Sequence, residues 1–355
     1  MKKGIKIAFT LLKLVLVLAV LFFGGIILYG TITEYKPKPE SHEAISVNEV
    51  PGSQTPSDTI RLLNWNIGFG GLGAEMDFFY DGGKSVRAPR TVWDKDMNGI
   101  LQTLTQSSNI DFYLLQEVDV ASKRSYFVNQ FDSIGDYLQR YASAFAVNYN
   151  VQHVPLPFTR PLGKVYSGVA TFSAHQVAEA QRYQYPGSFP WPTRIFFLDR
   201  CFLVTAIPWK SSTLLVINTH NSAYDETGEL KAQEMAMLMN YATDAYKKGH
   251  YVIIGGDFNQ CPPGFNPHAY EPDGFTGFAP PAMPDSFIPD GWKTAFDDQV
   301  PTNRHLDRPF SDASFKTVID FYIVSPNVQI QTIQGIDLNF AYSDHQPVYL
   351  EVTLD

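Results

Sequence analysis

Short apolar runs alternate along this chain with polar, glycine- and proline-bearing stretches, and two longer segments repeat their apolar residues at helical spacing. The runs predict strands at Ile60 to Asn66, Phe112 to Gln116, Val169 to Ser173, Arg194 to Ala206, Thr213 to Thr219, Tyr251 to Gly255, Val318 to Val324 and Val348 to Leu354. Between Thr91 and Ser107, Val92, Ile100, Leu101 and Leu104 fall on one helical face, and from Gly228 to Lys247 Leu230, Leu238, Met239, Ala242 and Tyr246 do the same. The pattern predicts an α/β fold with mixed sheets and amphipathic helices packed on them.

A different pattern opens the chain. Leu14 to Tyr29 reads LVLVLAVLFFGGIILY without a charge, and the apolar stretch reaches back to Ile5 if Lys6, Thr10 and Lys13 are tolerated. That is enough to cross a bilayer, with Lys13 snorkelling to the headgroups. The alternative is a cleaved signal peptide, but no small-x-small site follows Leu28. Four lysines precede the run, whereas Lys36 and Lys38 after it are mixed with Glu34, Glu40 and Glu43. The expectation is therefore a single-pass membrane protein, N-terminus cytoplasmic and catalytic domain on the periplasmic or extracellular face. Residues 1–30 form the cytoplasmic tip and anchor, residues 31–59, rich in proline, serine and acid, a spacer, and residues 60–355 a single domain.

The overall charge is −9, and the lysine-rich start makes the remainder more acidic still. Such a surface repels polyanions at long range and argues against a high-affinity nucleic-acid binder. Cys201 and Cys261 lie far apart in sequence and do not form a disulfide framework.

Chemically capable residues cluster at strand ends: Asn64-Trp65-Asn66, Gln116-Glu117, Asn218-Thr219-His220-Asn221, Gly256-Asp257-Phe258-Asn259, Asp320 within TVIDFYIVS, and Ser343-Asp344-His345-Gln346-Pro347. Taken singly, most of them read as solvated turns or caps. Asp320 is harder to dismiss, because a carboxylate flanked by Val318, Ile319, Phe321 and Ile323 needs a partner, and a histidine is the obvious one. Together the residue types suit phosphate-ester hydrolysis. Mg²⁺, or Mn²⁺, prefers oxygen ligands such as Glu117, Asp344 and the Asn66 amide. Asp257 can take a proton from an attacking water that Asn259 positions, Asp320 can orient His345, and His220 can stabilise the transition state or protonate the leaving group.

In chain order these six elements resemble the endonuclease/exonuclease/phosphatase superfamily, which includes DNase I, abasic-site endonucleases, bacterial sphingomyelinases and inositol polyphosphate 5-phosphatases. The resemblance runs from about Leu62 to Val348. It implies a four-layered α/β/β/α sandwich of two mixed sheets with the site at one edge. It also implies Glu117, Asn66 and Asp344 at the metal, Asp257 and Asn259 as the water-activating pair, His220 and the Asp320–His345 pair as further catalytic groups, and Asn221 at the substrate. Two positions depart from the family pattern. Gly68 stands where abasic-site endonucleases carry an aspartate, and Thr171-Phe172-Ser173-Ala174 replaces a motif ending in Ser-Arg. The second departure leaves a phosphate contact unassigned, with Arg160, Lys164, Arg304 and Arg308 as candidates.

Substrate choice falls to the loops 68–90 and 260–293, the latter holding many prolines and aromatics that could contact a ligand or form a packed cover. The expected partners are a phosphate-ester substrate and the membrane, with no protein partner. A small or lipid-borne phosphodiester is favoured, nucleic acid outside the cytoplasm is the alternative substrate, and an inactive binding module is the remaining reading. A phosphomonoesterase would want a dense basic pocket, and no run of Lys or Arg near the motifs supplies one.

Overall fold

The structure, a computed structural model, describes residues 2–47, 59–106, 109–225 and 227–355. Residues 48–58 of the expected spacer, and Ser107 at the end of the first expected helix, lie outside the described residues.

In chain order, helix α1 (Lys2–Ile32) is followed by strands β1 (Glu40–His42), β2 (Ile45–Val47) and β3 (Thr59–Asn66), helix α2 (Arg90–Gln106), strand β4 (Phe112–Asp119) and helix α3 (Gln130–Tyr137). Strands β5 (Ala142–Val154), β6 (Gly163–Ser173), β7 (Glu179–Gln184), β8 (Cys201–Trp209) and β9 (Ser212–His220) lead to helix α4 (Glu229–Lys247). The chain closes with β10 (Tyr251–Asp257), β11 (Lys293–Ala295), β12 (Asn303–Arg304), β13 (Lys316–Thr317), β14 (Asp320–Val324), β15 (Val328–Gly335) and β16 (Val348–Leu354).

Two seven-stranded sheets face each other, in the orders β1-β7-β8-β9-β10-β14-β11 and β15-β16-β3-β4-β6-β5-β2. Both are mixed: β9 with β10 and β3 with β4 run parallel, and the other pairs are antiparallel. Helices α2 and α3 cover the outer face of the second sheet, and α4 covers that of the first. This is the expected α/β/β/α sandwich, preceded by one apolar helix long enough to cross a membrane.

The two-residue period of the strands explains both the layers and the site. Ile60 and Leu62, Phe112 and Leu114, Leu214 and Val216, Ile253, and Tyr322 and Val324 meet between the sheets. Their alternate neighbours, such as Leu63, Trp65, Tyr113 and Leu115 on one side and Leu215, Ile217, Val252 and Ile254 on the other, face the helices. Each such buried side chain contributes roughly 1.5–3 kcal/mol. Following the inter-sheet face toward one end of the sandwich, the residues turn polar in five strands at once: Asn64 and Asn66, Gln116, Asn218 and His220, Asp257, and Asp320. The first polar layer staples the sheets together. Gln116 Nε2 donates to Asn64 Oδ1 at 2.8 Å and to Asn218 Oδ1 at 2.7 Å, and Asn64 Nδ2 donates to the Gly256 carbonyl at 3.0 Å.

The structure departs from the sequence pattern in three places. The strand expected over Arg194 to Ala206 begins only at Cys201, because Thr193–Phe196 forms a 3₁₀ turn that packs against Gly30 of α1. Strands β5, β7, β11 and β15 and helix α3, which the apolar pattern did not single out, complete the two large sheets and the outer layer, and the equally unforeseen β12 and β13 pair with each other. Finally, part of the expected spacer is ordered: β1 pairs with β7 at the edge of one sheet, and β2 pairs with β5 at the edge of the other. Edge strands need few apolar residues because one side of each stays in water, so composition alone reads them as linker.

Candidate active site

The second polar layer centres on Asp257, the last residue of β10. Sheet register sets it opposite His220 of parallel β9 and Asp320 of antiparallel β14. The close approach of β9 requires Gly256, since a Cβ there would lie 2.0 Å from the Thr219 carbonyl oxygen. Asp257 Oδ1 accepts the Asn259 main-chain N–H at 2.9 Å, and Oδ2 accepts Asn66 Nδ2 at 3.0 Å from across the inter-sheet gap. His220 Nε2 and His345 Nε2 lie 3.4 and 3.9 Å from the same Oδ2.

Asp320 and His345 form the expected pair, with Nδ1 2.8 Å from Asp320 Oδ2. Burial alone would depress the imidazole's pKa, but the carboxylates of Asp320, Asp344 and Asp257 outweigh it and hold His345 well above the usual histidine value. His220 behaves in the opposite way. Burial, reinforced by Arg200 and His345, drives its pKa well below the ordinary value and leaves it neutral. Asn148 Nδ2 lies 3.5 Å from its Nδ1, which leaves Nε2 to carry the proton toward Asp257. Two histidines side by side thus hold different charge states.

Glu117 sits in a bulge of β4, where the pairing with β6 shifts between Leu115 and Val118, and its φ of 54° swings the side chain into the cleft. Arg124 Nη2 lies 3.7 Å from it, while Arg124 is itself fixed by paired bonds to Asp119 of 3.1 and 3.0 Å and by the Phe69 ring at 3.8 Å. Asp344 lies beside His345; burial, with a contribution from Glu117, pushes its pKa up to about 7. Gly68, one of the two departures noted in the sequence, has a reason here: a Cβ at that position would lie 2.7 Å from Asp344 Oδ1.

These groups line a cavity of about 200 Å³ together with Asn303, whose amide lies 3.0 Å from His345 Nε2. Glu117, His220, Asp257, Asn259, Asp344 and His345 all face it. Asn66 reaches it through Asp257, and its Oδ1 accepts the Gly68 N–H at 3.0 Å. Asn221, expected at the substrate, is a correction. Its side chain turns inward to Thr219 Oγ1 at 2.8 Å and Met235 Sδ at 3.8 Å, because the chain leaving β9 directs it under α4, and only its carbonyl serves the site by accepting Asn259 Nδ2 at 2.9 Å.

For a cation, the pocket offers two kinds of donor set. Asp257, Asp320 and His345 present ligand atoms within 4.8 Å of one another, but His345 Nδ1 is committed to Asp320 and its charge opposes a cation. Glu117 and Asp344 are oxygen donors whose mutual repulsion a divalent ion would relieve, and they suit a hard metal better.

Basic residues were the part the sequence did not reveal. Arg304 faces the cavity but spends its guanidinium on the Leu72, Gly73 and Met76 carbonyls, fixing loop 68–90. Arg308 pairs with Asp307, and Arg160 and Lys164 are not among the cavity residues. Arg200 and Lys231 occupy the wall instead, with Arg200 Nη1 and Lys231 Nζ buried and without a hydrogen-bond partner among the described residues. Neither lies in a motif: Arg200 immediately precedes β8, and Lys231 lies in the first turn of α4. The 260–293 loop is pinned by a few packed residues and otherwise exposed or half-buried: Phe265 joins Cys261, Val318 and Ile319, and Trp292 packs under α4, while Phe278 reaches the cavity with Lys231 Nζ 5.7 Å above its ring. Cys201 and Cys261 are both buried and free.

The sequence pattern of the endonuclease/exonuclease/phosphatase family matches residues 63–345. Among solved structures, the chain is similar to an endonuclease/exonuclease/phosphatase from Beutenbergia cavernae DSM 12333, at 16% identity over 83% of this chain and 72% of that one, with a TM-score of 0.55. It is also similar to the human Nocturnin catalytic domain with bound sulfate anion, at 15% identity over 88% and 98% of the two chains and a TM-score of 0.52. A third likeness is to D. rerio TDP2 complexed with single strand DNA product, at 12% identity over 84% and 100%, with a TM-score of 0.53. At these identities the likeness is one of fold. No curated protein matches the chain.

Proposed function

Because the chain belongs to the endonuclease/exonuclease/phosphatase family, whose members hydrolyse phosphate esters, we propose that it is a membrane-anchored, divalent-metal-dependent phosphodiesterase acting on a small or lipid-borne phosphodiester. The observation that carries this reading is the set of groups around one carboxylate: Asp257 with Asn66, Asn259, His220 and His345 at the floor of a single cavity.

In this reading Asp257, its carboxylate held in one orientation by the Asn259 main-chain N–H and the Asn66 amide, accepts a proton from the attacking water. Asp320 fixes His345 as an imidazolium facing the phosphate. His220, neutral and protonated on Nε2, donates to a phosphoryl or leaving oxygen rather than acting as a strong acid. Arg200 supplies the phosphate contact that the sequence left unassigned. Glu117, Asp344 and the Asn66 amide oxygen would hold Mg²⁺ or Mn²⁺, which when bound neutralises phosphoryl charge.

The narrow cavity favours a small ester over a long duplex. Tyr224 Oη donates to Asp81 Oδ1 at 2.7 Å, joining two loops beside the cleft, and Tyr80, Phe197 and Leu198 form an apolar wall. The acidic composition points the same way. Residues 1–30 serve as the anchor with the N-terminus cytoplasmic, and the catalytic domain on residues 60–355 works on the outer face of the membrane.

The test uses the full chain in detergent with Mg²⁺ and bis(p-nitrophenyl) phosphate. Turnover that a chelator abolishes and Asp257→Asn lowers at least 100-fold supports the assignment; absence of turnover on aryl, lipid and nucleotide diesters alike ends it.

A further inference from the structure

The apolar helix does not stand clear of the folded domain. A loop between β5 and β6 brings Phe158 edge-on to Phe23 of α1, with ring centroids 5.2 Å apart. At 1.5 Å per residue, Phe23 lies roughly 9 Å down the helix from Tyr29, the outer end of the charge-free run. A second loop grips the helix nearer its end. Trp191 Nε1 donates to Thr31 Oγ1 at 3.2 Å, Arg194 Nε lies 2.8 Å from Glu34 Oε1, and Ile195 and Phe196 close on Gly30 so tightly that a Cβ there would sit 2.9 Å from the Phe196 ring.

Around these grips the domain leaves large apolar side chains uncovered: Leu156, Phe158 and Trp191 are 39%, 54% and 53% exposed. Arg160 beside them is exposed as well. An apolar tip ringed by aromatic and basic groups is the composition of a bilayer interface.

We propose that the domain is seated in the outer leaflet, with Leu156, Phe158 and Trp191 entering the lipid alongside α1, and that its substrate is a phosphate ester of a membrane lipid. This rests on reading α1 as a membrane span and the cavity as a phosphodiesterase site. If Leu14 to Tyr29 lies in hydrocarbon, Phe158 cannot touch Phe23 without lying at the acyl boundary.

The same loop connects that position to the chemistry. Phe189, Phe197 and Leu198, which flank the turn gripping α1, line the cavity that holds Asp257. They also line a second cavity, which reaches Glu34, Tyr35, Lys36 and Pro37 just beyond the helix. These three apolar side chains therefore border both cavities and form a wall between the headgroup level and the site. A lipid ester follows it with its acyl chains still in the bilayer.

The tryptophans provide a native probe. Trp65, Trp93, Trp209 and Trp292 are buried and Trp191 is exposed. The full chain, reconstituted into phosphatidylcholine vesicles with acyl chains brominated near the headgroup, is expected to lose part of its tryptophan emission, and Trp191→Phe is expected to abolish that quenchable part. The paired change Leu156→Asp with Phe158→Asp should lower kcat/KM for a vesicle-borne phosphodiester at least tenfold more than for bis(p-nitrophenyl) phosphate. Quenching without hydrolysis of any ester leaves the seating intact and removes the enzymatic reading. Hydrolysis of the soluble ester without bromine-dependent quenching overturns the seating alone. Equal losses on the two substrates overturn the delivery of lipid through this wall.

Discussion

Asn66 and Asp257, separated by 191 positions and carried on different sheets, meet at 3.0 Å across the gap between them. The contact fixes the carboxylate that the proposed mechanism uses as a base, so it is a positioning contact and not only a candidate metal ligand. Asn66→Ala is expected to lower kcat by roughly tenfold to a hundredfold with little change in melting temperature, and Asp257→Asn by at least about a hundredfold. Initial rates on an aryl phosphodiester at saturating Mg²⁺ decide it.

The 2.8 Å pairing of Asp320 with His345 makes the two residues one unit. His345→Ala should cost roughly a hundredfold or more in rate, and adding Asp320→Ala to it should cost little beyond that, because the second change removes a partner already idle. Independent, multiplying losses in the double variant would contradict the pair.

Arg200 Nη1 and Lys231 Nζ are buried cations with no hydrogen-bond partner among the described residues, an arrangement that favours an anionic ligand as the missing partner. Arg200→Ala should reduce kcat/KM by roughly a hundredfold, with Arg200→Lys recovering little of it, since an ammonium cannot reproduce the guanidinium fork. Inorganic phosphate binding, followed by calorimetry, should weaken in Lys231→Met and in Arg200→Ala.

Glu117 and Asp344 both face the cavity with like charges whose repulsion a divalent ion would relieve. Glu117→Gln is expected to raise the Mg²⁺ concentration for half-maximal rate at least tenfold, while rates at high Mg²⁺ fall less. Titration calorimetry of Mg²⁺ and Mn²⁺ into the wild type and the variant gives a readout without turnover, and identical isotherms would remove Glu117 from the metal site.

Asp96, which is not among the cavity-lining residues, offers a test of stability. Its carboxylate is buried on α2, accepts the Gly73 N–H at 3.2 Å and lies 3.3 Å from Lys95 Nζ, yet burial pushes its pKa up to about 7. An unfolded aspartate ionises at about 3.9. The folded state therefore holds this proton more tightly, so the contribution is fully present below about pH 4, declines as pH rises, and is lost above about 7. Asp96→Asn should flatten that decline, narrowing or reversing its stability difference from the wild type as pH rises. Parallel melting-temperature profiles for the two proteins between pH 4 and 8 would rule this out.

Much of the site was legible before any coordinates. Asp257, Asn259, His220, Asp320, His345, Glu117 and Asp344 stand at the ends of apolar runs, in motifs whose order identifies the family, and the structure gathers them around one cavity. Asn221 sits in such a motif too, yet strand geometry turns its side chain beneath α4. Arg200, Lys231, Asn148 and Asn303 belong to no motif and surface only when the walls close. The two edge strands were read as spacer because half of each remains in water.

The sequence by itself determined the alternation that makes strands, the two helical faces, the apolar N-terminal run, and the switch from apolar to polar at particular strand ends. A two-residue period settles which side chains share a face, since that is local geometry. What that face opposes is not local. Tertiary structure alone decided that Asn66 would meet Asp257, that Arg200 and Lys231 would complete the cavity, and that Phe158 would rest against Phe23, because such contacts depend on sheet order, register and loop path across stretches of chain that no local pattern encodes.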